Sequence, residues 1–242
     1  MSKGIFVTAT DTGVGKTIAS AAIVRALKQR GIKTGAMKPI ETGCCRKDGI
    51  LEPADGKLLK EFAEMDDPLE LITPVRFEVP LAPHIASQVE GIPVDLEKIF
   101  DAYGALSGKY DFMVVEGIGG VLVPLAGKTT SKTSRSYFVI DLIKELKLPA
   151  VVVTRPSLGT INHTLLTVSQ LLNEGVDVAG LIINFNTPAE GTIAERTNPK
   201  ALRELCSVPI IGVIPCLKDI SAESIEAIAA ACIDLDTLTS YS

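Results

Sequence analysis

Near its start the chain carries Thr8-Ala9-Thr10-Asp11-Thr12-Gly13-Val14-Gly15-Lys16-Thr17, a glycine-bearing turn directly after the apolar run Ile5-Phe6-Val7. The turn ends in Gly-Lys-Thr, and Ile18, Ala22, Ile23, Ala26 and Leu27 then recur on one helical face. A strand, a glycine turn and a helix start in this order form an anion cradle. Backbone N–H groups of the turn and first helical residues face the anion, Lys16 adds a point charge, and Thr17 offers a hydroxyl to Mg²⁺. The predicted ligand is a nucleoside phosphate. The first glycine of the common phosphate-loop pattern is replaced by Thr10, so the turn is expected to be longer or differently bent.

Further polar clusters also follow apolar runs. In Lys38-Pro39-Ile40-Glu41-Thr42-Gly43, a lysine ends the second such run, next to a rigid proline, so two ammonium groups, Lys16 and Lys38, can face one phosphoryl group. In Val114-Val115-Glu116-Gly117-Ile118-Gly119-Gly120, a carboxylate is followed by an anion-tolerant glycine turn. Glu116 is a candidate Mg²⁺ ligand, because that ion takes one or two carboxylates along with phosphate oxygens and water. Asp55, in Pro53-Ala54-Asp55-Gly56, reads by itself as a helix cap and, in this company, as a second carboxylate ligand. Ser157-Leu158-Gly159-Thr160-Ile161-Asn162-His163 opens a helix whose free N–H groups suit a carboxylate or phosphate, or else is a simple Ser/Thr cap. Asn184 ends another apolar run and can meet a base edge or serve as a turn residue. His84, after Pro83, has no partner pattern and reads as structural.

The elements that must position these groups alternate. Ile5–Val7, Lys33–Lys38, Phe112–Val115, Ala150–Val153, Val178–Ile183 and Pro209–Ile214 read as strands, several of them uninterrupted apolar runs of the kind found in sheets covered on both faces. Between them, helices are predicted over Leu96–Leu106 with Asp95 as cap, Tyr137–Leu146, Leu165–Leu172 and Ile225–Cys232. The pattern predicts an α/β fold, a doubly wound and mostly parallel sheet with helices on both faces, in a single domain over residues 1–242. Ligands of such sheets sit beyond the carboxyl ends of the strands, where these clusters fall. The stretch 127–136, rich in Gly, Thr, Ser and Lys, reads as a basic connecting loop.

Composition narrows the function. The 242 residues are 46% hydrophobic and 22% charged, with net charge −5 and no Trp, which argues against nucleic-acid partners. No apolar run reaches membrane-spanning length. Cys44, Cys45, Cys206, Cys216 and Cys232 show no metal-site spacing. The expectation is a reduced, cytoplasmic protein without a membrane anchor.

Taken together, the clusters resemble the dethiobiotin synthetase family of phosphate-loop proteins. The likeness rests on Thr8–Thr17, Lys38-Pro39 with Thr42-Gly43, Pro83-His84-Ile85, Val115-Glu116-Gly117 with Gly119-Gly120, Leu158–His163 and Gly212-Val213-Ile214-Pro215, in the family's order along nearly the whole chain. The resemblance implies an ATP-dependent cyclo-ligase that forms the ureido ring of dethiobiotin from 7,8-diaminononanoate, CO₂ and MgATP. It implies that Gly13, Val14, Gly15, Lys16, Thr17 and Ile18 bind phosphates, and that Thr17, Asp55 and Glu116 hold Mg²⁺. Lys38 and Lys16 would be catalytic, and Glu116, Gly117, Ile118 and Gly119 would border ATP. Asn184, Pro215, Cys216 and Leu217 would meet adenine. Thr12 and Thr42 would contact the diamine, and Leu158, Gly159, Thr160 and Asn162 would receive its carboxylate across the interface of a homodimer.

Ala9, where glycine is common, Phe185 after Asn184, and a long Lys128–Arg135 loop depart from the family pattern. Two alternatives share the ATP-binding layout. The ATP domain of a corrin-type amidotransferase synthetase would bring a glutaminase domain, for which 242 residues leave no room. A partition-type ATPase switch would carry a lysine early in the loop, where this chain has Asp11.

Overall fold

A computed structural model describes residues 3–127 and 136–240; the loop expected over Lys128–Arg135 lies outside the described residues. β1 (Lys3–Ala9) runs through the glycine turn into α1 (Lys16–Gln29). β2 (Thr34–Met37) follows, then the short strands β3 (Ile40–Thr42), β4 (Cys45–Lys47) and β5 (Ile50–Glu52). α2 (Ala54–Ala63), α3 (Leu69–Ile72), β6 (Val75–Phe77), α4 (Pro83–Glu90) and α5 (Leu96–Ser107) lead to β7 (Phe112–Glu116). After β8 (Pro124–Ala126) and β9 (Tyr137–Phe138), the chain continues through α6 (Val139–Leu146), β10 (Ala150–Thr154) and α7 (Thr160–Asn173). It ends with β11 (Val178–Asn184), α8 (Ile193–Leu205), β12 (Ile210–Ile214), α9 (Ala222–Cys232) and α10 (Leu235–Thr239).

Six strands form one parallel sheet in the order β12-β11-β10-β1-β7-β2. Every residue of β2, β7, β10 and β11 is buried, which is why these strands read as unbroken apolar runs. The expected fold class therefore holds. The central strand β1 pairs on one side with β10 and on the other with β7, so the chain changes direction across the sheet at the strand that carries the glycine turn. In register, Val7 lies opposite Glu116 and Met37 opposite Val115. The glycine turn, Lys38 and Glu116 thus leave three adjacent strands at one edge. No helix among the described residues is long and apolar enough to cross a membrane.

One local expectation is corrected, and one alternative reading falls away. The helix predicted over Tyr137–Leu146 begins at Val139, because Tyr137 and Phe138 instead pair antiparallel with Pro124–Ala126. The Asp141 carboxylate then accepts the Phe138 N–H at 2.8 Å and fixes the helix start there. Asp55 does not cap α2. The N-cap position is Pro53, Asp55 lies within the first turn, and its carboxylate is engaged elsewhere. By contrast, Asp95 caps α5, accepting the Lys98 N–H at 2.9 Å. Ala9 ends β1 fully buried and is not among the residues with positive φ, so its methyl is accommodated without backbone strain. Leu27, fully buried on α1, belongs to the core between that helix and the sheet. Leu27→Ala is expected to cost about 2–5 kcal/mol, read as a lower urea midpoint at unchanged slope.

Candidate active site

The glycine turn is built for close approach. Gly13 and Gly15 have φ of +74° and +93°, and a Cβ on Gly15 would lie 2.0 Å from the Asn184 amide nitrogen. Asn184 itself is buried, and its Nδ2 donates to the Val14 carbonyl at 2.9 Å; Asn186 Nδ2 donates to the Gly13 carbonyl at 2.8 Å. The end of β11 therefore fastens the turn from behind. On its other side, Arg155 pairs with Asp11 at 3.3 Å. Lys16 Nζ donates to the Gly119 carbonyl at 3.0 Å and the Asp11 carbonyl at 3.3 Å, so its ammonium bridges the turns after β1 and β7.

Beside it lies a charged cluster that is buried at Lys38 and Glu116 and opens to solvent at Asp55. Lys38 Nζ sits 2.5 Å from Glu116 Oε1 and 2.9 Å from Asp55 Oδ2, and also donates to the Gly117 carbonyl at 3.2 Å. Thr17 donates its hydroxyl to Glu116 Oε1 at 2.9 Å. Lys38 is 3% exposed and Glu116 0%. Burial alone would strip the proton from Lys38, but the carboxylates of Glu116 and Asp55 outweigh it and hold the ammonium charged above the ordinary lysine range. Burial likewise opposes ionisation of Asp55, and Lys38, Thr17 and Lys16 together override it, keeping that carboxyl below its usual value. Lys16 goes the other way. Burial first, and then the neighbouring charge of Lys38, bring it down to about 8.

The donor set suits Mg²⁺. A hydroxyl and two carboxylates gather around one point, all of them hard oxygen ligands, and Glu116 Oε2 is buried with no hydrogen-bond partner among the described residues. A buried, unsatisfied carboxylate oxygen calls for a cation or a donor that the fold itself does not supply.

Behind the turn, a cleft of about 240 Å³ is walled by Ile18, Phe185, Pro215, Cys216 and Leu217, with Asn184 and Asn186 at its polar side. The cleft is mostly apolar and is the size of a nucleobase site. A larger cavity of about 750 Å³ lies around Lys28, Lys33 and Asp67, but it has no glycine turn and its Asp67 carboxylate is already satisfied by Lys109 and Tyr110.

The residues expected to act together divide into those the fold gathers and those it sets apart. Lys16, Thr17, Lys38, Asp55 and Glu116 share the cluster just described. Thr12 is exposed on the glycine turn, and Thr42 is half-buried at the end of β3. Leu158, at 88% exposure, and Asn162 lie on the surface at the start of α7, which has no side-chain cap at Gly159. The Thr160 hydroxyl points into the fold, 2.7 Å from that of Thr154, and its N–H donates to the Ser157 carbonyl at 3.2 Å. Sequence reasoning missed Arg155, Asn186 and Glu41. The last is buried and accepts the N–H groups of Asp55 and Gly56, each at 3.0 Å. Nothing in spacing marks Asn186, and Glu41 was visible only as part of the Lys38–Gly43 stretch.

A sequence profile of a family described as AAA domain matches residues 3–224. The chain is 53% identical over 240 residues to the ATP-dependent dethiobiotin synthetase of Thermodesulfovibrio yellowstonii, covering 99% of this chain and 100% of that one. It is 40% identical over 235 residues to the ATP-dependent dethiobiotin synthetase of Bacillus velezensis, covering 97% and 96%. Among solved structures, a ParA family ATPase from Chlorobium tepidum superposes with a TM-score of 0.52 at 17% identity, over 99% of this chain and 97% of that one, a likeness of fold.

The lowered Lys16 makes a pH prediction. Its ammonium is fully present below pH of about 8 and is lost as pH rises through that value; a bound polyphosphate favours the charged form and holds it to higher pH. ADP binding is therefore expected to take up about one proton above this range and to weaken there. Calorimetry in buffers of different ionisation heat measures the uptake, and Lys16→Met is expected to abolish it.

Proposed function

The chain belongs to the ATP-dependent dethiobiotin synthetases, carbon–nitrogen ligases, and from that membership we propose how its residues carry out the family's reaction. The substrates in this reading are 7,8-diaminononanoate, CO₂ and MgATP. One amine adds to CO₂ and gives up a proton, forming a carbamate. A carbamate oxygen attacks the γ-phosphorus and the bond to ADP breaks, giving a carbamic-phosphoric anhydride. The second amine attacks the carbamate carbon, the ring closes, and phosphate leaves.

The observation that carries the reading is the meeting of Lys16, Lys38, Asp55 and Glu116 at the mouth of the glycine turn. An anionic carbamate approaching an anionic triphosphate needs cations at the point of contact. Lys16 and Lys38 supply two, both shielded from water, where their field is strongest. Thr17, Asp55 and Glu116 would hold Mg²⁺, which when bound there would offset charge on the transferred phosphoryl group. Gly13 to Ile18 would cradle the phosphates, with Gly117, Ile118 and Gly119 alongside. Asn184 already spends Nδ2 on Val14, leaving its carbonyl oxygen for the amino group of adenine above the Pro215–Leu217 wall. Thr42, four residues beyond Lys38, would hold the diamine.

The substrate carboxylate needs a further anion site. The start of α7, which has no side-chain cap and exposes Leu158, Gly159 and Asn162, supports assigning that role to a second subunit in a homodimer. The exposure of that helix start on a single chain is what favours the shared arrangement.

Lys38→Ala is expected to lower formation of the ring-closed product, measured by mass spectrometry, by about 10²–10³-fold or more while nucleotide still binds. Near-normal turnover would remove Lys38 from the mechanism. A shared site makes a second prediction. Lys38→Ala and Gly159→Asp chains, each inactive alone, are expected to regain partial activity when mixed, because each mixed dimer keeps one intact site. Mixtures as inactive as their parents would place the whole site within one chain.

A further inference from the structure

We propose that Glu41 is a positioning residue for metal binding: it occupies the backbone donors at the start of α2, which leaves the Asp55 carboxylate free to face Lys38 and the ion. The inference rests on reading Asp55 as a ligand of Mg²⁺.

α2 begins without any cap of its own. Its N-cap residue is Pro53, which has no hydrogen-bonding side chain. The first-turn N–H groups of a helix need an acceptor, and an aspartate in that turn is the nearest one. Asp55, left to itself, would fold back onto those donors. Glu41 reaches across from β3 and takes them instead. Oε1 accepts the Asp55 N–H and Oε2 the Gly56 N–H, both at 3.0 Å. Glu41 as a whole is 5% exposed, so these bonds are sheltered from water. Asp55 is then turned outward to Lys38, 2.9 Å away.

The turn is pinned from its other side as well. A Cβ on Gly56 would lie 2.0 Å from Thr73 Oγ1, so the backbone presses against Thr73 and cannot slide away from Glu41. Glu41 also lies three residues after Lys38. One short stretch thus carries the ammonium, and the acceptor that aims its carboxylate partner. A third carboxylate near Asp55 is unfavourable on charge alone; the positive end of the α2 dipole and two N–H bonds offset the repulsion.

The test is a Mn²⁺ titration in the presence of ADP, with free Mn²⁺ read by electron paramagnetic resonance. Wild type, Glu41→Gln, Asp55→Asn and the double variant are compared. Glu41→Gln keeps the volume and one acceptor but sets an NH₂ group against an N–H. Its Mn²⁺ midpoint is expected to rise roughly 10–100-fold, the usual effect of removing a partner that orients a ligand. Metal-free ADP affinity should be unchanged. In turnover, half-activating Mg²⁺ should rise by the same factor while kcat at saturating Mg²⁺ is retained. Glu41→Asp, which keeps the charge but falls short of both N–H groups, should shift the midpoint in the same direction. The double variant should bind no more weakly than Asp55→Asn alone. A Glu41→Gln protein that melts earlier yet keeps the wild-type midpoint would reduce Glu41 to a helix cap and overturn the proposal, as would additive losses in the double variant. If Asp55→Asn leaves the midpoint unchanged, Asp55 is not a ligand, and the metal assignment falls together with the inference.

Discussion

A lysine ammonium closed off from water between two carboxylates is the constraint around which the carboxyl edge of the sheet is arranged. Lys38 touches Glu116 from β7 and Asp55 from α2, and Glu116 has no exposure at all. An ionised carboxylate at that depth is tolerated only with a partner, and removing one member of such a pair typically costs about 3–5 kcal/mol. Lys38 therefore ties together three segments that are distant in sequence: the end of β2, the end of β7 and the first turn of α2. Lys16 pays the electrostatic cost of this arrangement. Its ammonium sits near that of Lys38, and burial and repulsion together weaken its hold on a proton. The site is strained toward accepting an anion even before one arrives.

The glycine turn is preorganised by contacts made largely to its carbonyls. Asn184 and Asn186 engage the carbonyls of Val14 and Gly13, and Lys16 engages the carbonyls of Gly119 and Asp11. Every one of these bonds uses a turn carbonyl as acceptor. The N–H groups of Thr10 and Thr12 are engaged as well, by the Val153 carbonyl and the Asp11 carboxylate, so in the proposed complex the phosphate cradle would be made by the later residues of the turn. Ordering the turn in advance removes an entropic cost from binding. Arg155 has a related effect at the surface, where its pairing with Asp11 offsets a negative charge that would otherwise face an incoming polyphosphate.

The strands of the main sheet were legible because a sheet buried on both faces demands continuous apolar runs, and Val114-Val115 or Val151-Val152-Val153 have no other ready explanation. Lys38 and Glu116 were legible for a related reason: a charged residue that directly ends such a run must stand at the sheet edge where ligands bind. Periodicity does not say which partner a charge will choose. Asp55 has the spacing of a cap and instead meets Lys38, because Glu41 has taken the backbone donors a cap would use. Thr160 opens a helix that was read either as an anion site of free N–H groups or as a simple Ser/Thr cap, and its side chain does not cap the helix but turns inward to Thr154. Tyr137 and Phe138 fit a helical pattern, but the nearby Pro124–Ala126 strand offered them ladder partners, a long-range choice no local window contains.

Strand order also sets the direction in which a nucleotide would lie in the proposed complex. The apolar cleft is formed at the ends of β11 and β12, the glycine turn at the end of β1, and the paired lysine and carboxylates at the ends of β7 and β2. In the proposed complex the base covers the β11–β12 side, the phosphates cross β1, and the terminal phosphoryl points toward β7. The attacking carbamate must then approach in line from the far side, beyond β2, where Thr42 ends β3. In that complex Lys38, at the end of β2, would flank the approaching carbamate, and Lys16, at the start of α1, the phosphates. A sheet with β7 and β10 exchanged would carry Glu116 to the base side of β1 and part it from Lys38 at the end of β2. In this reading, placing β1 between the half with the apolar cleft and the charge-bearing half would turn a general anion cradle into a site with a defined attacking side.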